Sequence, residues 1–179
     1  MPQPLGNNRP ELMLTPVNEI LQAFAILKPQ TLSSQQMAYL HPFMCETAIA
    51  QYAALEKMAL ARHFVLLPLV EIALENAKRD LPLAGLTRQW LLFASSIQGD
   101  AWLIKRQSTH TEVAFVKGSE GKAAIPQTLG IRFEQWLQLA FLMQQIEMCM
   151  ISPSAAEVLA ALNCLHPALS QHYPYPLDH

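Results

Sequence analysis

Glycine is scarce in this chain. Its six glycines are scattered singly through 179 residues, so they cannot build a glycine-rich phosphate loop. No Gly-x-Ser-x-Gly nucleophile elbow occurs. Cysteine is scarcer still: Cys45, Cys149 and Cys164 are odd in number and far apart. No disulfide framework follows from that spacing, and the expectation is reduced, buried thiols that are poor nucleophiles. Charged residues make up 15% of the chain, the net charge is −2, and no dense Lys/Arg cluster stands out. That balance argues against a nucleic-acid-binding protein. No run of roughly 18 uncharged apolar residues is present, so no transmembrane helix is expected. The most apolar stretch, residues 131–151, is interrupted by Arg132, Glu134, several Gln and Glu147. Residues 1–11 hold Pro, Asn and Arg without an apolar core, so they read as a flexible lead with no secretory signal.

Ligand spacing is lacking too. His41, His63, His110, His166, His172 and His179 include no pair at the i, i+4 interval of a helical zinc site. His41 and Cys45 are four apart, but Pro42 between them disturbs a helix. Glu71 and Glu75 lie one turn apart and read as a solvated helix face. The expectation is a chain with no metal, no cofactor and no catalytic group.

What is present fits one domain over residues 1–179, long enough to bury a real core. Its centre is residues 89–117. Residues 89–94 are an almost continuous apolar run, as in a strand covered on both faces. In residues 101–106, Trp102 and Ile104 alternate with Ala101, Leu103 and Lys105. In residues 112–117, Val113 and Phe115 alternate with Ala114 and Val116. The polar connections 95–100 and 107–111 are short enough for antiparallel hairpins. The fold class predicted is α+β, a mainly antiparallel sheet flanked by helices.

The helices can be read in order. Thr15 and Pro16 open a helix with Val17, Ile20, Leu21 and Phe24 on one stripe, stopped by Pro29. Ser33 and Gln36 form a capping box for a short helix carrying Met37 and Leu40, ended by Pro42. Residues 46–61 are rich in helix formers and read as one helix. Residues 63–67 read as a strand. Val70, Ala73, Leu74 and Ala77 mark the buried stripe of a further helix, followed by a turn over residues 80–85 and, later, a polar loop at 118–121. Residues 131–150 read as one helix, apolar over most of its circumference, with Glu134, Gln138 and Gln145 as its polar sector. Ser152 and Pro153 open a last helix with Val158, Leu159, Leu162 and Leu165 inward. The tail, residues 171–179, is rich in Pro and Tyr and ordered where it packs.

Several segments together resemble a known family. They are Phe93-Ala-Ser-Ser-Ile-Gln-Gly99-Asp100-Ala-Trp102-Leu-Ile, then Glu112-Val-Ala-Phe115-Val, then Ile131-Arg-Phe133-Glu-Gln-Trp136-Leu137. Upstream stand Leu67-Pro68-Leu69-Val-Glu71-Ile72 and Asn76. This pattern resembles the SUKH superfamily, which contains fungal cell-wall synthesis regulators and many bacterial toxin-immunity proteins. The chain departs from the pattern by lacking the glycine-rich or asparagine-glycine loop after the second helix. The resemblance implies a non-enzymatic α+β domain that binds a protein, either a cognate toxin inside the producing cell or a regulatory partner, with a cytoplasmic location and no membrane. It also directs attention to loops at one end of the sheet. Gln98, Asp100, His110 and Glu112 are the candidate partner-binding side chains on residues 95–112, with the two acids suited to a cationic toxin surface. Tyr173 and Tyr175 in the tail are a second candidate patch. Asp100 has another reading, as turn chemistry after Gly99, and the tail another, as packing on its own domain.

Overall fold

Side-chain alternation sets the centre of this fold. It is seen in a computed structural model that describes residues 12–24, 31–55, 59–80, 89–107, 110–119, 125–148 and 153–177, without the side chains of residues 24, 79 and 80. In chain order the elements are α1 (Val17–Phe24), α2 (Ser34–Leu40), α3 (Glu46–Ala54), β1 (Ala59–Ala61), β2 (Phe64–Leu66), α4 (Ile72–Asp80) and β3 (Trp90–Ser95). They continue with β4 (Ala101–Lys105), β5 (Glu112–Val116), β6 (Gln127–Arg132), α5 (Phe133–Met148), α6 (Ala155–Leu165) and α7 (Leu169–His172). The six strands form one sheet in sequence order, every neighbour antiparallel. The protein is therefore α+β, with the sheet flanked by helices. The expectations for Pro29, the side chain of Phe24, Cys149, Met150, the Ser152 cap, His179, the lead and the turn after Asp80 lie outside the described residues.

Alternation sorts the strands onto two faces. Leu91, Phe93, Trp102, Ile104, Val113 and Phe115 join the main core. Trp90, Leu92, Ala101, Leu103, Ala114 and Val116 form a smaller cluster on the other face, with Leu67 against it. α5 lies on the main core, because Phe133, Trp136, Leu137, Leu139, Ala140, Leu142, Met143 and Ile146 leave little of its circumference polar. The Trp136 ring meets Phe93 at 4.8 Å and Trp102 at 5.9 Å, both edge to face. The polar side chains of α5 are engaged as well. Gln138 Nε2 donates to the Thr15 carbonyl at 3.1 Å and Gln145 Nε2 to that of Met13 at 3.1 Å, strapping the approach to α1 across the helix. The Ser33 and Gln36 capping box is formed at α2.

Several expectations are corrected. Residues 46–61 are not one helix: α3 ends at Ala54, and Ala59–Ala61 pair with β2. Burial of Leu60 and Ala61 against the core overrides the helical preference of their composition. Residues 127–132 are a strand rather than loop and helix start, with Leu129 and Ile131 inward and Gly130 at φ 71. The last helix is capped two residues later than read, by Ser154 with Glu157 in a capping box. The stripe assigned to α4 faces water: Val70 is 54% and Leu74 57% exposed. The inward positions are Leu69, Ile72 and Asn76. The Asn76 side chain brackets Leu92 of β3, its Nδ2 donating to the Leu92 carbonyl at 2.9 Å and its Oδ1 accepting from the Leu92 N–H at 2.8 Å. Cys45 and Cys164 are exposed rather than buried.

Candidate functional site

In an antiparallel meander successive hairpins open at opposite ends. The 95–100 connection and the 107–111 connection therefore cannot form one surface, and the expectation of a joint site at one end of the sheet is corrected. Gln98 and Asp100 stand at the β3–β4 end with Tyr173 and Tyr175; His110 and Glu112 stand at the β4–β5 end.

The β3–β4 end is built around Asp100, which is 8% exposed. Its Oδ2 accepts from the Ser96 hydroxyl at 2.9 Å and from the Tyr175 hydroxyl at 3.1 Å. Its Oδ1 accepts from the Gly118 N–H at 2.9 Å. Ser96 Oγ accepts in turn from the N–H groups of Gln98 and Asp100 at 3.1 Å each. Gly99 takes φ 87, a left-handed value that favours glycine. A Cβ on Gly118 would fall 2.6 Å from the Gly99 carbonyl oxygen, so the two loops touch only because this residue has none. Asp100 is thus a clasp between the β3–β4 loop, the end of β5 and the tail, and it is corrected from partner contact to scaffold.

The tail completes this end. Tyr175 stacks on His63 at 3.9 Å and meets Phe115 edge to face at 5.5 Å. Burial pushes the Tyr175 hydroxyl well above the usual phenol range, with the Asp100 carboxylate adding to it. Burial does the same for Tyr173, helped by Glu147. Both tyrosines pack against the main core, so the tail patch is mostly turned inward. A groove of about 370 Å³ remains beside it, with Gln98 and Arg62 on its rim and Met143, Ile146 and Leu177 in its wall. Both Glu147 carboxylate oxygens accept from the Arg62 N–H at 3.0 Å.

The β4–β5 end is different in kind. Gln107 and Thr111 both take positive φ, 58 and 53. The Gln107 N–H donates to the Pro42 carbonyl at 2.7 Å, and the Thr111 carbonyl accepts from the Phe133 N–H at 3.2 Å. Arg106 lies 5.8 Å over the Phe43 ring, a cation–π contact. These contacts fix the loop ends to the turn after α2 and to the start of α5. Between them opens a depression of about 490 Å³ lined by Lys105, Arg106, Gln107, His110, Glu112 and Arg132, among others. Glu112 and Arg132 are direct cross-strand partners. Lys105, Arg106 and Arg132 were not singled out from the sequence. Arg132 belongs to a strand read as helix, and its proximity to Lys105 follows from β6 pairing with β5.

Among the described residues no three His, Cys, Asp or Glu side chains come together as a metal site would require. No helix of the described residues is long and apolar enough to cross a membrane. The fold and site define an α+β protein with one closed and one open sheet end. Comparison of the chain with protein-family models, with curated proteins and with solved structures finds no match.

Proposed function

We propose that this chain is a non-enzymatic protein-binding domain that acts in the cytoplasm as an immunity protein, binding and neutralising a cognate toxin. The observation that carries this reading is the open depression at the β4–β5 end. Its polar side chains, His110 and Glu112 among them, stand on backbone that other elements hold in place. Polar groups displayed on a rigid, solvent-facing rim suit a macromolecular partner, whereas small-molecule sites are concave, enclosed and mostly apolar. The SUKH resemblance of the Gly99-Asp100, Glu112-Val and Phe133 to Leu137 segments supports the toxin as that partner. Co-expression tests it. The protein is expected to rescue cells from the product of a neighbouring toxin gene and to co-purify with that product. Failure to rescue, with no complex at micromolar concentration, would leave a regulatory interaction module as the better reading.

A further inference from the structure

Lys105 ends β4, Arg106 opens the following loop, and Arg132 ends β6. The sheet register brings all three to one depression of about 490 Å³, where Glu112 is the carboxylate among the lining residues. The whole chain has a net charge of −2. The patch is therefore a local positive area on a molecule that is otherwise slightly negative. An acidic partner would be repelled by the rest of the surface and drawn to this end, which selects one orientation of encounter.

We propose that the β4–β5 end is the partner interface and that it takes a carboxylate-rich segment of a partner protein. This deepens the protein-binding reading above and rests on it. It also reverses the expected sign of the partner: of the two acids foreseen as contacts for a cationic surface, Asp100 is buried in the clasp at the far end. Guanidinium groups such as Arg106 and Arg132 match carboxylates through two parallel hydrogen bonds. The Arg106 guanidinium is already held over Phe43, and the backbone N–H of Arg132 donates to Gln135 Oε1 at 3.0 Å, which fixes the main chain that carries the second guanidinium. A nucleic-acid strand fits less well. No Phe, Tyr or Trp is among its described lining residues, so it offers bases no broad stacking platform.

The test uses the full chain and a short fluorescein-labelled peptide rich in Glu and Asp, read by anisotropy. A Lys-rich peptide and an oligothymidylate serve as controls. The acidic peptide should bind, weaken with added salt, and lose about tenfold or more in affinity in the Lys105→Glu/Arg132→Glu variant. The milder Lys105→Gln/Arg132→Gln variant should also lose affinity while its circular dichroism and melting temperature stay unchanged. Equal affinity in wild type and both variants overturns the proposal, as does no binding of the acidic peptide. Tighter binding of the oligothymidylate overturns it in favour of nucleic acid. The co-expression assay separates the two readings. Rescue by wild type and by the charge-reversed variant alike keeps the immunity function and overturns this interface. Charge-dependent peptide binding without rescue keeps the interface and removes the toxin.

Discussion

At the β3–β4 end of the sheet Ser96 and Asp100 are turned inward, and at the β4–β5 end Lys105, Arg106, Gln107 and His110 face water. Both ends are hairpin connections of the same meander, and both carry acids that sequence reading would offer to a partner. Asp100 is 8% exposed and accepts three hydrogen bonds. Glu112 is half-buried on the wall of an open depression. The difference comes from what lies above each loop. The tail crosses the first end and supplies Tyr175; no described segment crosses the second. A polar loop residue is available for recognition only where the rest of the chain leaves it uncovered.

The largest expected effect falls on the core that both ends share. Trp136 is 0% exposed, and Trp136→Ala should lower unfolding stability by about 3–5 kcal/mol in chemical denaturation. Loosening of the sheet beneath both ends should accompany it. Asp100→Ala should separate the ends: the loss is expected to be about 2–3 kcal/mol, because a charged acceptor is removed and the Gly118 N–H loses its partner. Hydrogen exchange should rise at the β3–β4 loop and the tail while the β4–β5 loop is unchanged; a uniform rise would erase the distinction.

Alkaline titration addresses the same closed end. Tyr173 and Tyr175 keep their protons in the folded state to higher pH than the ordinary phenol value of 10.0. Their contribution is therefore fully present below about pH 10, the unfolded value, and is lost as pH rises above it toward the folded values. The denaturation midpoint should hold steady through neutral pH and fall above pH 10, and less steeply in Tyr173→Phe. The smallest effect belongs to the open end. Lys105→Gln with Arg132→Gln should change stability by no more than about 0.5 kcal/mol, as for exposed surface side chains. A larger loss would mean that this end too is structural.

How much of this was legible follows residue by residue. β3, β4 and β5 could be read because their side chains alternate and their connections are short and polar. β1 was hidden by Ala59-Leu60-Ala61, whose composition favours a helix until pairing with Phe64–Leu66 decides otherwise. β6 was hidden because Ile131 merges with the apolar stripe of α5. The phase of α4 was misread because its inward face includes Asn76, which a search for apolar spacing passes over. At the closed end, turn chemistry was one of two readings of Gly99-Asp100. The partners that decide it, Gly118 and Tyr175, lie 18 and 75 residues further on, beyond the reach of any local pattern. Lys105 and Arg132 line one depression because β6 pairs with β5, a pairing that the sequence did not disclose.

The amide of Asn76 carries a consequence for how this molecule behaves in a crowd of its own copies. β2 pairs with β3 only at Val65–Ser95 and Leu66–Ala94, with the Leu67 N–H reaching the Phe93 carbonyl. Past that point no described strand lies on the β2 side of β3, and a bare stretch of backbone on that side is a template for addition of a foreign strand. One side chain occupies the place: its carboxamide presents the donor and acceptor that a neighbouring peptide group would, and Leu92 has both groups satisfied. The helix that carries Asn76 therefore works as a stopper on an unfinished edge. Asn76→Leu should keep most of the volume but leave the Leu92 N–H and carbonyl without that partner, and light scattering should then rise with protein concentration more than it does for the wild type.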